Sequence, residues 1–574
     1  MESILNSFLQ PIVDFANDWI INIGPTIGGE QIAIMVILLL GTGLYLTVRT
    51  GFVQITRLGH GFGVTTGKYD DPDDPGDVSH FQALTTALSA TVGIGNIAGV
   101  AMAIHWGGPG ALFWMWVTAF LGMATKFAEV TLAQKYRTTD DLGNVAGGPM
   151  YYIERGLGAK WKPMAVFFAV MLAFTAFFTG NAVQANTVAD QMNSAFGVPM
   201  VVMGAITSVI VAAVILGGIG RIGKVTAFLA PFMAAVYVFG ALLILVMNFG
   251  SVPGAFGTIV AEAFNPQAGV AGIGAGVFVV TLMWGVRRGL FSNEAGQGSA
   301  PIAHAAAKTD EPVSEGVVAL LEPLIDTIVI CTLTGLVIVI TGTHQQRFPT
   351  EITLGGGDIT WTAEIEPERF GGVDAPESIE IANGRHVMTG LGAAMVSWHE
   401  ASVDMLFTDA GQTQAFSGTV FPARGEAVGA DGTTYTSLFG DAVENGAPVT
   451  AAAFRQGLSP LGDWGHLIVV FGVLLFGIST AISWSYYGDR CAYYLFGQGA
   501  ILPYKALFVL AHFVGAAIPL AVVWALGDVA LAIVIWPNLI ALIALAPVVA
   551  EETRSYFERK PYEAVAEKRA AMGD

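Results

Sequence analysis

The chain is 574 residues long, 53% hydrophobic and only 12% charged, with a formal net charge of −19 and a mean hydropathy of +0.61. Soluble proteins carry about 25% charged residues, so a water-soluble globule of this length is excluded and the lipid bilayer is the solvent the sequence fits. No nucleic-acid partner is expected of so acidic a chain.

A helix needs about 20 largely apolar residues to cross the hydrocarbon core. Residues 1–31 hold two short, partly apolar stretches, Ile4–Ile12 and Trp19–Ile23, which read as a periplasmic or interfacial segment. They lack the basic start and small-residue cleavage site of a signal peptide. Spans then fall near 32–48, 82–104, 110–134, 162–180, 198–217, 225–247, 272–297 and 315–342, and again near 464–489, 503–526 and 528–548. That is about eleven helices, because backbone groups in lipid must bond internally and the short alternating segments of a membrane barrel are missing. The reading divides the chain into an N-terminal segment 1–31, transmembrane helices 1–8 over 32–344, an inserted segment 345–463, transmembrane helices 9–11 over 464–550, and a tail 551–574.

Lys and Arg stay on the cytoplasmic side. Residues 1–48 contain neither, whereas Arg49, Arg57 and Lys68 follow the first span, Lys135, Arg137 and Arg155 the third, Arg221 and Lys224 the fifth, Lys308 the seventh, and Arg490 and Lys505 the ninth. The alternation predicts a periplasmic N-terminus and a cytoplasmic C-terminus in a bacterial inner membrane. The insertion 345–463 falls on the outer face and holds sixteen Asp or Glu against five Arg, −11 of the chain's formal −19. Its Phe, Trp, Val and Leu content and its turn signals, such as Asp431-Gly432, predict a small folded, β-rich domain, since structureless loops of this length are uncommon. Nothing in it identifies a protein partner.

In the second span, Ser89, Thr91, Gly93, Gly95 and Asn96 cluster at the middle. Each glycine costs up to about 1 kcal/mol in a helix interior, so the run favours an unwound turn whose backbone groups can bind a polar solute. Close packing through small residues is the alternative, but Asn96 adds a donor and an acceptor that packing does not need. The fourth span ends in Asn181, Gln184 and Asn186, of which Gln184 is the one expected to contact a zwitterion. Lys126 and Glu129, one turn apart in the third span, are expected to pair near the cytoplasmic face.

The seventh span repeats the interruption, with Gly272–Gly276, Trp284-Gly285 and the run Arg288–Gly298. Glu322 and Asp326 share a face of the eighth span and are expected to pair with Arg287 or Arg288. Corresponding broken helices in two halves point to a transporter site. Spans two to six and seven to eleven then form two five-helix repeats, and because five is odd the second is inverted. In the ninth span Ser479, Thr480 and Ser483 gather hydroxyls on one face, a ligand type that suits a hard cation. Cys331 and Cys491 are too few for a disulfide framework, and no metal-ligand spacing, phosphate loop or nucleophile elbow appears.

Three stretches, Ala83–Gly99, Gly147–Gly158 and Arg288–Ala307, closely resemble the alanine or glycine:cation symporter family. The resemblance extends over roughly 30–345 and 456–555. It implies sodium-coupled uptake of alanine or glycine by alternating access, on the leucine-transporter fold: a 5+5 inverted repeat with one extra N-terminal helix. It also implies that Gly93, Gly95 and Asn96 cradle the substrate carboxylate and Gln184 the amino group. Thr91, Trp284, Gly285 and Trp484 complete the expected substrate set, with Phe177 as a further lid. Carbonyls near Ser89, Val92 and Phe476, together with Ser479 and Thr480, are the expected sodium ligands. Members of that family have a far shorter loop where this chain has its insertion. A ligand-gated channel or nutrient sensor using the acidic outer domain is the alternative the sequence leaves open. An intramembrane enzyme fares worst, because no nucleophile–base pair stands out within a span.

Overall fold

A computed structural model describes residues 23–572, apart from 28–29, 72, 266–277, 356–358, 367–368, 388–391, 400 and 518–519. The stretch Ile4–Ile12, most of Trp19–Ile23 and the run Gly272–Gly276 lie outside the described residues. The chain is mainly helical. Among the described residues six helices are long and apolar enough to cross a membrane, and a bent pair makes a seventh.

The first helix, α1 (Ile34–Arg49), is followed by the bent pair, α2 (His80–Thr91) and α3 (Val100–Gly107). Ser79 and Gln82 close a capping box on α2, satisfying two of the donors that a helix start leaves open. Then come α4 (Ala111–Lys135), α5 (Lys162–Phe177), α6 (Val183–Phe196), α7 (Met200–Ile215) and α8 (Gly218–Met247). After these lie α9 (Phe278–Asn293), α10 (Pro312–Ala319), α11 (Thr332–Thr341) and α12 (Ala447–Gly457). Next come α13 (His466–Phe496), α14 (Ile501–Gly515) and α15 (Leu520–Arg559), and a tail helix, α16 (Pro561–Met572), follows them.

Two sequence boundaries move. Residues 181–196, beyond the expected end of the fourth span near residue 180, are helical and continue α5 through a π turn at Phe178–Ala182. The split between the last two spans falls before Leu520 rather than at 526–528, because α15 runs unbroken past Pro537 and Pro547. Wide π turns also replace regular helix at Gly95–Gly99 and Leu324–Cys331. Such turns free backbone groups and concentrate at functional sites.

Apolar side chains cover the outside of the bundle: Val209, Phe228, Phe239 and Val246 are each about 70% exposed. Such a belt is stable only against lipid. The interior is one large apolar cluster into which charged and amide side chains are set, with a smaller one of Ala33, Val36, Val279, Met283 and Val286 where α1 meets α9.

The polar insertion folds on its own apolar cluster, which includes Ile352, Ile379, Val396, Phe416, Val420 and Leu438. Its first strand, β1 (Arg347–Thr353), pairs antiparallel with its last, β2 (Ser437–Val443), from Arg347↔Val443 to Thr353↔Ser437. The two ends of the insertion therefore leave the helical part side by side. Between them lie a four-stranded and a five-stranded sheet.

Candidate functional site

Four interruptions of helix meet in the interior. α2 stops at Thr91, and the Gly93 N–H donates to Asn96 Oδ1 at 2.8 Å, so the side chain of Asn96 takes the place of a helical carbonyl. Gly93 is required by close approach. A Cβ there would sit 2.7 Å from Thr480 Oγ1 and 3.7 Å from Gln184 Oε1, the former closer than real Cβ atoms come. On the far side of the break a Cβ on Gly95 would press on the Phe291 ring at 3.1 Å. The second interruption follows α9. Glu294 adopts a left-handed φ of +57°, and Gly296 and Gly298 have φ of +90° and +78°. A left-handed non-glycine residue is costly and tends to mark function. The π turns at 178–182 and 324–331 complete the set.

A cluster of oxygen atoms lies between α2 and α13. Ser479 Oγ donates within reach of the Ser89 and Phe476 carbonyls, at 3.3 and 3.0 Å. Thr480 Oγ1 reaches the Ser89 and Ala90 carbonyls at 3.2 and 3.3 Å. The Ala90 carbonyl is an addition that sequence reasoning missed. Val92, expected in this set, is buried at the α2 terminus, where its N–H donates to Leu88 O at 2.7 Å. Ser89 Oγ is buried without a partner. Two hydroxyls and several backbone carbonyls, all hard oxygen donors in a water-poor place, fit a sodium ion.

Beside this cluster, Gln184 is 3% exposed. Its amide Nε2 donates to Thr179 O at 3.1 Å, which fixes its orientation and leaves Oε1 unpartnered and facing Gly93. An oriented, unpartnered acceptor beside an open glycine turn suits an ammonium group. The other amides of that stretch hold neighbours together. Asn181 bonds Phe508 O at 2.8 Å and His512 Nδ1 at 2.6 Å, and Asn186 reaches Gly515 O at 3.3 Å.

Trp484 borders this region. Its ring lies against Gly180, where a Cβ would overlap it, and its Nε1–H donates to Glu294 Oε1 at 2.9 Å. The remaining expected residues sit apart from the glycine turn or are already bonded. Trp284 stacks on Trp106 with centroids 5.7 Å apart, and the Arg288 guanidinium lies 5.4 Å from the Trp284 centroid. Gly285 packs against Trp114 and Ala111. Thr91 Oγ1 bonds back to Ala87 O at 3.2 Å, and Phe177 lies on Tyr504 and Phe508.

The two breaks are joined directly. Asn96 Nδ2 reaches Asp326 Oδ1 at 2.6 Å and Ser292 Oγ at 3.1 Å. Ser292 and Thr327 hydroxyls donate to Asp326 Oδ2 at 2.7 and 2.6 Å, and Cys331 Sγ lies 3.2 Å from Ser292 Oγ. Asp326 is thus held by Asn96, Ser292 and Thr327, where a pairing with Arg287 or Arg288 was expected. Lys126 pairs with Glu322 at 3.0 Å. Glu129, expected as its partner, accepts from Gly298 N–H at 3.1 Å and from Asn538. Ser292, Glu294 and Thr327 escaped sequence reasoning. The glycines at 296 and 298 were the signal that could have found the turn at Glu294.

The insertion touches the first break. Thr450 Oγ1 of α12 donates to Ile97 O at 3.0 Å, a carbonyl inside the π turn, and His105 Nε2 meets His399 O at 3.0 Å.

A profile of the sodium:alanine symporter family matches residues 14–363 and 431–570, leaving most of the insertion unmatched. The sodium/alanine symporter AgcS of Methanococcus maripaludis is 42% identical over 92% of this chain and 95% of its own length. The amino-acid carrier protein AlsT of Bacillus subtilis is 38% identical over 59% of this chain and 68% of its own. The probable sodium/glutamine symporter GlnT of the same organism is 37% identical over the same shares.

Proposed function

The chain belongs to the sodium:alanine symporter family, and from that premise we propose that it couples sodium entry to uptake of a small neutral amino acid, alanine or glycine. The single observation that carries the reading is the meeting of Gly93, Gln184 and Thr480 across the break in the first broken helix. There an oxygen cluster for a cation adjoins an oriented acceptor for an ammonium group.

In this reading Ser89, Ala90 and Phe476 carbonyls with the Ser479 and Thr480 hydroxyls hold sodium. The glycine turn at Gly93 and Gly95 cradles the carboxylate, the Gly93 N–H turning to it from Asn96 Oδ1, and Gln184 Oε1 receives the ammonium. The cation and the glycine turn share the end of α2, so sodium orders the turn that the amino acid needs. By linkage the amino acid then tightens sodium by the same factor. Trp484 limits the room for a side chain. A methylene more or less is worth only about 1–3 kcal/mol, so glutamine, the substrate named for GlnT, is the competitor that measures how small the site is.

The fold proposed is the 5+5 inverted repeat with one extra N-terminal helix, about eleven spans in all. The breaks at 92–94 and 293–299 lie in corresponding helices, and the Asn96–Ser292 contact joins them. Transport then proceeds by alternating access around that contact. The β-rich part of the insertion 345–463 forms a separate outer domain, while its helix α12 packs on the first break, with the N-terminus periplasmic and the C-terminus cytoplasmic. The test is uptake of labelled alanine into proteoliposomes with and without an inward sodium gradient. Concentrative uptake only with the gradient supports the reading; equal uptake in both removes sodium coupling.

A further inference from the structure

Lys126 is the near end of a longer array that the transport reading does not use. Glu322 Oε2 pairs with Lys126 and Glu322 Oε1 with His304 Nε2 at 2.6 Å. His304 Nδ1 meets Glu315 Oε1, and the other oxygen of Glu315 meets His80 Nδ1. His80 Nε2 lies 3.8 Å from Asp70 Oδ1, whose side chain is 36% exposed. From His80 to Lys126 every member is buried. The array thus runs from solvent at Asp70, beside Lys68 on the face assigned to the cytoplasm, to the turn at Glu294.

The groups facing it come from each neighbouring element. His304 is faced by Glu315 of α10, by Glu322 one element on and by His80 of α2. Lys126 is faced by Glu322, by Glu294 of the break and by Glu129 of its own helix. The Tyr487 hydroxyl of α13 lies near Glu294 and Glu322. At the mouth, Arg137 donates to the carbonyls of Ala305, Ala307 and Thr309, with Glu315 of the array first in its field and then Asp310, Asp77 and Asp74.

Static ion pairs do not require this alternation of imidazole and carboxylate. Both nitrogens of His304 face carboxylate oxygens. Both contacts are hydrogen bonds either in an imidazolium between two carboxylates or in a neutral imidazole beside one carboxylic acid. The two forms differ only in where a proton sits. Intramembrane chains of Asp, Glu and His mark proton paths.

We propose that Asp70, His80, Glu315, His304 and Glu322 form a proton relay from the cytoplasm to Lys126, through which internal protons set the rate of carrier turnover. The inference rests on the sodium-coupled reading above, and it gives the proton a route separate from the transported cation. A proton from water enters at Asp70. A small closing movement passes it to His80 Nε2, while the Nδ1 proton of His80 leaves for Glu315. Glu315 turns its carboxyl and delivers to His304 Nδ1, and the Nε2 proton of His304 moves to Glu322. At each step one N–H or O–H bond breaks as the next forms, and one positive charge moves inward. Once Glu322 is neutral, the Lys126 charge falls on Glu294, the carboxylate that holds Trp484.

The experiment is sodium-driven uptake of labelled alanine in proteoliposomes, with internal pH stepped from about 10 to about 7, because burial, which lowers the pKa of His304, is outweighed by Glu322 and Glu315, which raise it from 6.5 to about 9. External pH is held constant, and the two sides are then exchanged. Wild type should change its initial rate about threefold or more with internal pH and much less with external pH. His304→Gln keeps the size and one hydrogen bond but takes no proton. It should flatten the internal profile while leaving the sodium concentration for half-maximal uptake unchanged. Glu315→Gln should do the same and serves if His304→Gln does not fold. A second readout is the proton exchanged with weakly buffered solvent when sodium and alanine are added to purified wild type; exchange is expected there and should vanish in the variant. A wild-type rate indifferent to internal pH overturns the relay, as does a His304→Gln or Glu315→Gln carrier with the wild-type profile. Absence of sodium-driven uptake in wild type at any pH would instead defeat the transport reading.

Discussion

Replacing Thr480 by Ala separates a cation ligand from a folding contact. Thr480 is 2% exposed, and its hydroxyl lies 3.2 and 3.3 Å from the Ser89 and Ala90 carbonyls. As a hydrogen bond between helices in a membrane it is worth about 0.6 kcal/mol, a small loss for a bundle of this size. The apolar remainder of α13 inserts without it. As a ligand the same oxygen faces a full charge, and interactions with charged groups are worth about 1.5–3 kcal/mol. Water does not substitute for it in so buried a place. At ~1.4 kcal/mol per factor of ten, the sodium concentration for half-maximal uptake should rise roughly 10- to 100-fold. Expression and thermal stability should stay near wild type. The assay is alanine uptake against sodium concentration in proteoliposomes, with Ser402→Ala in the outer insertion as a control that should change neither property. Unchanged sodium dependence in a well-folded Thr480→Ala protein would refute the assignment and move the search to Asp326.

Gly93→Ala places a Cβ 2.7 Å from Thr480 Oγ1; strain of about 1–3 kcal/mol is expected from such overpacking, read as a lower melting temperature together with loss of uptake. Gln184→Ala removes the unpartnered Oε1 and should raise the alanine KM about 10- to 100-fold, the worth of a bond to a charged group, with sodium dependence preserved; an unaltered KM would place the ammonium elsewhere. A pH effect is expected at the C-terminal tail. His60 lies among Tyr69, Tyr556, Phe557 and Tyr562, and burial first, then Arg57 and Lys68, push its pKa down to about 4 from 6.5. The undocked ring takes a proton below 6.5 and the docked ring resists until about 4, so docking is at full strength above 6.5 and weakens as pH falls toward 4. Hydrogen-exchange protection of residues 556–567, corrected for the intrinsic rate at each pH, should therefore fall between those values, and His60→Phe should abolish the effect.

The membrane character of this protein was legible because lipid imposes a simple rule on composition: long apolar runs and few charges. The first break was legible too, because Gly93, Gly95 and Asn96 are poor choices for a helix interior unless something else is required of them. The hydroxyls of Ser479 and Thr480 announced themselves as polar groups in an apolar run. Glu294 was legible only as part of the interrupted run Arg288–Gly298; its left-handed turn and its bond to Trp484 were not.

What the sequence did not carry was pairing. Lys126 and Glu129 are neighbours on one helix, yet Lys126 is matched with Glu322, and Glu129 with Asn538 and Gly298. Asp326 meets Asn96, a residue 230 positions away. Local spacing fixes which residues share a face of one helix. It says nothing about which face of another helix lies opposite, because that depends on packing of the whole bundle. A buried charge must find a partner or leave the membrane interior, but which partner is settled only when the helices close on one another. The sequence by itself therefore determined the solvent and two of the four places where helix gives way. Tertiary structure alone decided that the broken ends face one another, and that a file of histidines and carboxylates leads to them.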